Sequence, residues 1–151
     1  MTMYLDPAII VKLLVREADS EWFGRNLAGH TFEASELALA DVRYALFAQE
    51  RARQITKSER VRAEEKFQAM LEEEIIRLLP LNRTVLERAT AIQMACHPHI
   101  PMRAIDSLHV ATCALHNIGT MATTDGRRRA ACEQFAIALI PAKPEDVTNS
   151  T

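Results

Sequence analysis

Aromatic side chains are scarce, 5% of the 151 residues with a single tryptophan, and this excludes an obvious platform on which successive bases would stack. Cysteine is sparse as well. Cys96, Cys113 and Cys132 are odd in number and widely spaced with no C-x-x-C pair, which excludes a disulfide framework and a thiolate zinc site and leaves them as small buried apolar residues. No apolar run approaches the length needed to span a membrane. No basic leader precedes the first apolar stretch, and Asp6 interrupts it at once, so no signal peptide is expected and a cytoplasmic location follows. There is no internal repeat and no low-complexity segment. What is present, 48% hydrophobic and 25% charged residues, is the composition of an ordinary globular domain, and the length suits one domain with one good core. A net charge of −2 says little about partners, so the distribution of charge has to carry that argument.

Short β-like runs alternate with longer helical ones, which predicts an α/β fold built on a parallel sheet. Met3-Tyr4-Leu5 reads as a strand that ends on Asp6, with Pro7 placed where a helix begins. Ser20 to Leu27 reads as a helix stopped by Gly29, and Thr31 to Ser35 as a brief strand. Two helices are expected over Glu36 to Arg53 and Lys57 to Glu73, the second with Val61, Phe67, Met70 and Leu71 facing inward. Ile75 to Leu81 reads as a strand. Asn82 caps a helix whose Val85, Ala89, Ile92 and Cys96 share one face, and the helix stops at His97-Pro98. Cys96, His97 and His99 lack the spacing of a closed zinc cage, so this stretch reads as an exposed loop. Arg103 to Asn117 reads as a core helix, Thr120 to Thr123 as a strand, Gly126 to Gln134 as a helix and Ile137 to Ile140 as the last strand. A domain over 1–141 and a frayed polar tail over 142–151 complete the expected organisation.

Three acids stand out from their surroundings. Asp6 and Asp125 each follow a strand and open a helix, where a carboxylate serves as an N-cap and where open parallel sheets place their ligands. Asp106 lies in the first turn of a helix that is apolar on nearly every face. The helix dipole offsets only part of the cost of burying a carboxylate, so Asp106 calls for a cationic partner. Taken singly, each acid can be a cap and nothing more; as a set they invite a functional reading.

In these pieces the chain resembles the PIN-domain ribonucleases of the VapC toxin type. They are Tyr4-Leu5-Asp6 with Val11 to Leu14, Ser35 to Asp41 with the helix that follows, Arg103 to Thr112, and Thr123-Thr124-Asp125, in the family's order. The resemblance implies a single PIN-like domain with a central parallel sheet and helices on both sides, Mg²⁺ or Mn²⁺ held by acids, RNA cleavage, a homodimer and a cognate antitoxin. It assigns Asp6, Asp106 and Asp125 to the metal and Thr124 to a hydroxyl ligand or orienting group. Two positions depart from the family pattern. Asp41 stands where glutamate is usual, one methylene shorter, and Ala8 stands where a hydroxyl or amide is common. Glu36, five residues before Asp41, falls on another face of the helix and is the poorer candidate.

Four carboxylates at Asp6, Asp41, Asp106 and Asp125, with no basic residue among them, would raise one another's pKa unless a hard divalent cation neutralised them. Oxygen ligands select Mg²⁺ or Mn²⁺ over zinc, and such an ion activates water for attack on a phosphodiester. His109, one turn after Asp106, reads as a core or supporting residue rather than a base. Arg127, Arg128 and Arg129 occupy the first turn of a helix, where positive charge is unfavourable, which suggests an RNA-binding role. A second basic group from Arg51 to Lys66 is interleaved with Glu50, Glu59, Glu64 and Glu65 and reads as a solvated face. The alternatives are a catalytically degenerate PIN-like module that binds RNA or protein, and an aspartyl-phosphate enzyme, which Asp6-Pro7-Ala8 disfavours for want of a second acid. The Trp22, Phe23 and Leu27 helix and the region of Tyr44 and Phe47 are expected to offer apolar surface to a partner.

Overall fold

The computed structural model describes residues 1–148. Strand β1 (Thr2–Leu5) leads into α1 (Pro7–Leu14) and α2 (Ser20–Asn26), and β2 (Thr31–Ser35) into α3 (Ala38–Arg51) and α4 (Lys57–Glu72). After β3 (Ile76–Leu79) come α5 (Arg83–Cys96) and α6 (Ala104–Leu115), then β4 (Thr120–Ala122), α7 (Gly126–Gln134) and β5 (Ala138–Ile140). The strands form one sheet in the order β3-β2-β1-β4-β5, every neighbouring pair parallel. This is the predicted α/β architecture, with helices as the crossovers that parallel pairing requires.

Strand periodicity divides the interior in two. Met3 and Leu5 face a core shared with α1, α3 and α4, whereas Tyr4 between them faces a second core built from α5, α6 and α7. Because β1 is covered on both sides, it reads in sequence as a continuous apolar run. The order of strands reverses direction between β1 and β4, so the carboxyl ends of these two neighbours open onto the crevice where such sheets bind ligands. Asn82 caps α5 as expected, and α4 has a cap that its sequence reading did not include. Asn82 accepts a hydrogen bond from the Val85 amide, and Thr56 and Glu59 close a capping box at α4. Val85, Ala89, Ile92 and Cys96 are all buried on one face of α5. The three cysteines are free and buried, and burial pushes the Cys132 thiol up to about 12. Among the described residues no helix is long and apolar enough to cross a membrane.

Several expectations need correction. Val61 is turned out of α4, and Ala63 takes the inward place beside Phe67, with Met70 and Leu71 partly buried. In α2 and at its C-cap, Phe23 and Leu27 are buried and Trp22 packs against the first core, so this helix does not offer a bare apolar face; on α3, Tyr44 is 69% exposed. The segment after β5 is not a frayed tail over its described length. Pro141 is buried, Pro144–Val147 forms a 3-10 turn, and Val147 packs on the first core. Residues 149–151 of that tail lie outside the described residues.

The contrast between Phe67 and Val61 is measurable. Phe67→Ala is expected to cost about 3–5 kcal/mol in urea unfolding, as for other buried aromatic truncations. Val61→Ala on the same helix is expected to stay within about 0.5 kcal/mol.

Candidate active site

The backbone sets up the site before any side chain is considered. The Asp6 amide donates to the Ala122 carbonyl at 3.1 Å, and the Thr123 amide to the Ile140 carbonyl at 3.1 Å, so the hydrogen-bond ladder runs one residue past each strand. Alternation then places Asp6 on the same face as Tyr4, and Thr123 on the same face as Met121, both toward α6 and α7. Thr123 Oγ1 donates to Asp6 Oδ2 at 2.6 Å and accepts the Asp125 amide at 3.1 Å. The remaining Asp6 oxygen, Oδ1, accepts the Ala8 amide at 3.2 Å, and Asp125 Oδ1 accepts the Arg128 amide at 3.0 Å. Both acids are therefore genuine N-caps, and both stand at the mouth of the same crevice.

Asp106 enters from α6 and is fully buried. Its Oδ2 accepts the Arg103 amide at 3.2 Å and Arg103 Nε at 3.0 Å, and Arg103 Nη2 reaches Oδ1 at 3.3 Å. The cation that Asp106 calls for is thus present twice, because Arg128 Nε also donates to Asp106 Oδ1 at 3.0 Å. The same guanidinium donates from Nη1 to Asp6 Oδ1 at 2.7 Å. Arg128 accordingly bridges two carboxylates brought from separate ends of the chain. Burial works against its charge, but the Asp6, Asp106 and Asp125 carboxylates outweigh that and raise its pKa further. Burial also pushes the Asp106 carboxyl up; the hydrogen bonds from the Arg103 side chain and amide, together with the Arg128 charge, overcome this and hold it below the ordinary aspartate value.

Asp41 has a different partner. Its Oδ2 meets His109 Nε2 at 3.1 Å, and His109 Nδ1 meets the Tyr4 hydroxyl at 2.6 Å. A neutral imidazole protonated at Nε2 satisfies both contacts, with the Tyr4 O–H donating to Nδ1 and Nε2–H donating to Asp41. Tyr4 and His109 are fully buried, and burial, followed by the Asp6 charge, keeps the phenol neutral by raising its pKa well above the ordinary value. The chain Tyr4–His109–Asp41 therefore fixes the shorter acid in place, and His109 is the supporting residue that its apolar surroundings suggest. Glu36 caps the turn after β3 by accepting the Leu81 amide at 3.0 Å and takes no part in this cluster.

Several sequence expectations change at this point. The acids are not free of basic residues, since Arg128 lies between Asp6 and Asp106. Among the described residues, no three acidic, histidine or cysteine side chains are grouped so as to hold a metal ion. The three arginines do not form one basic surface either. Helical rotation leaves Arg127 exposed, points Arg128 into the acids and sends Arg129 to the Thr123 and Ala142 carbonyls at 2.9 and 3.2 Å. Thr124 is exposed, and the hydroxyl that orients Asp6 belongs to Thr123. Strand alternation from Met121 would have selected Thr123. Nothing local singled out Arg103 or Tyr4. In the second basic group Arg60 pairs with Glu50 and Glu64 at 3.0 and 3.1 Å and lies over the Phe47 ring, as an interleaved face would.

Comparison with known proteins bears on this arrangement. The family model described as the PIN domain matches residues 3–133. Among curated proteins no sequence matches. Solved structures do share the fold. VapC20 of Mycobacterium tuberculosis, a sarcin-ricin loop cleaving toxin, superposes with a TM-score of 0.66 at 17% identity, over 85% of this chain and 94% of its own. VapBC2 of Rickettsia felis, bound to a promoter DNA fragment, gives 0.63 at 14% identity over 87% and 93%. FitAcB of Neisseria gonorrhoeae gives 0.58 at 20% identity over 85% and 92%.

The bridging arginine reverses one mutational expectation. A crowded set of like charges would gain stability on losing one, by something like 0.5–2 kcal/mol. With Arg128 in place, Asp6→Asn instead leaves the buried guanidinium with Asp106 as its one remaining ion-pair partner and is expected to cost about 1.5–3 kcal/mol in urea unfolding without added metal. A gain in stability would show that the bridge does not form. For Asp106, whose pKa is depressed in the folded protein, the sign is fixed. Its contribution is complete above the unfolded aspartate pKa of about 3.9 and is lost as pH falls through the lower folded value. Urea midpoints followed from neutral pH downward should fall steeply in that range for the wild type, and less steeply for Asp106→Asn.

Proposed function

As the chain belongs to the PIN domain family, we propose that it is a ribonuclease, the toxin of a toxin–antitoxin pair, hydrolysing RNA phosphodiester bonds at the crevice where Asp6, Asp106 and Asp125 meet. The observation that carries this reading is the convergence of these acids at the switch point of the sheet. They come from the ends of β1 and β4 and from α6, and two of them, Asp6 and Asp106, are buried at a cost that a cap alone does not require. The toxin assignment also draws on fold neighbours that are themselves toxins, one of them cleaving the sarcin-ricin loop. Exposed Arg127 and the half-exposed Arg103 stand at the rim, where phosphate contacts would orient a strand without reading its bases. An antitoxin or a second copy of the chain would find exposed Leu39 and Tyr44 on α3.

Mg²⁺ or Mn²⁺ is the cofactor this reading calls for, and the residues as they stand do not fit one. Every oxygen of Asp6 and Asp106 already accepts a hydrogen bond from Ala8, Thr123, Arg103 or Arg128, and Asp41 meets His109 through Oδ2. That closed cluster favours a second reading, a catalytically degenerate PIN-like module that binds RNA or protein without cutting.

Cleavage of a mixed RNA pool with Mg²⁺ or Mn²⁺, against the same protein in EDTA, separates the two. On the ribonuclease reading, divalent-dependent cleavage that falls by about 100-fold or more in Asp6→Asn, Asp106→Asn and Asp125→Asn is the expected result. RNA binding with no cleavage under either condition would establish the degenerate module, and wild-type cleavage by all three variants would move the site elsewhere.

A further inference from the structure

Arg128 is 9% exposed, yet it is the third residue of α7, and its surroundings on the outer side are open. Thr124, Gly126 and Arg127 are exposed, Asp125 is half-buried, and a side chain added at Gly126 would meet nothing within 4 Å. The guanidinium is therefore buried at the edge of the molecule rather than deep within it. Its position is also electrostatically unusual. A cation in the first turn of a helix opposes the helix dipole, and what offsets this is the pair of carboxylates it bridges. Arg129, one residue on, is tied to two backbone carbonyls and anchors α7 independently of the acids.

We propose that Arg128 is a built-in cation that closes the acidic site, so that its guanidinium and a divalent ion compete for the same oxygens of Asp6 and Asp106. The inference rests on reading these acids as the nuclease site. In the closed arrangement Asp6, Asp106 and Asp125 face Arg103 and Arg128, three negative charges against two positive, which leaves little field to draw in an ion. Withdrawal needs rotation about the side-chain bonds of one arginine, with the helix held by Arg129 and by the Asp125 cap. A doubly charged ion bound to the open form shifts the population toward it, and the apparent affinity is lowered by the fraction of molecules that are open. Arg103 differs in kind: its side chain is 58% exposed and bonds Asp106 alone, so it supports one acid without spanning the pair.

The test is Mn²⁺ binding to the full chain without RNA, followed by the loss of the free-ion electron paramagnetic resonance signal. Arg128→Met is expected to bind Mn²⁺ at least about tenfold more tightly than the wild type, and adding Asp6→Asn to it should abolish the gain. In the wild type, titration with Mg²⁺ should shift the Arg128 Nε–H nuclear magnetic resonance signal away from its carboxylate-bonded position, a readout that stands even where Arg128→Met fails to fold. Equal Mn²⁺ affinity for the wild type and a folded Arg128→Met, or an Arg128 signal unmoved at saturating Mg²⁺, would overturn the proposal. The nuclease reading falls separately. Tighter Mn²⁺ binding by Arg128→Met with no RNA cleavage by any form keeps the competition and removes the enzyme, whereas divalent-dependent cleavage with unchanged Mn²⁺ affinity does the reverse.

Discussion

Two carboxylates buried at the same end of a sheet need a cation, and Arg128 is the one this chain supplies. Its fork joins Asp6 at the end of β1 to Asp106 at the start of α6 while its own amide is held by Asp125, so one side chain ties together three elements that are far apart in sequence. The arrangement is demanding. A buried ion pair is worth keeping only when its remaining lone pairs and protons are met, and Thr123, Ala8 and Arg103 meet those of the acids. Both the stability of this end of the molecule and its access to any cation from solution depend on that fork.

The parallel sheet determines where the demand arises. Because successive residues of β1 face opposite cores, Asp6 inherits the side on which α6 and α7 lie. The second polar chain, Tyr4–His109–Asp41, crosses the carboxyl end of the sheet from the α6 side to the α3 side. It thus links the two helical layers where the sheet leaves them unsupported. Asp41, one methylene shorter than the glutamate that the resemblance leads one to expect, finds the His109 imidazole within reach. The site therefore holds two kinds of acid, a pair neutralised by guanidinium and a single acid steadied by a hydrogen-bond chain.

Most of the fold was legible in the sequence because its signals are local. The strand at Met3-Tyr4-Leu5, the cap at Asn82 and the one-sided stripe of α5 each act over a few residues, and each is found as read. The misses have the same origin seen from the other side. Val61 lies about 120° around α4 from Phe67 and Ala63 about 40°, so the face set by Phe67, Met70 and Leu71 takes in Ala63, whose small side chain is the weaker hydrophobic signal. The segment after β5 holds few apolar residues, and it is placed by the Arg129 contact to the Ala142 carbonyl and by Val147 on the first core.

By itself the sequence determined the strands, the helices, the parallel α/β class and the positions of Asp6 and Asp125 as caps at strand ends, since propensity, capping and periodicity are set by near neighbours. It also determined that a buried Asp106 requires a cation. Which cation, and from where, only the tertiary structure decided. Arg127, Arg128 and Arg129 are equivalent as letters, and what separates them is helical rotation combined with partners 22 and 122 residues away from Arg128 along the chain. Charge pairing over such separations depends on where the folded backbone brings side chains, so the converging acids read from the sequence as an open metal site stand in the structure as a site already closed by an arginine.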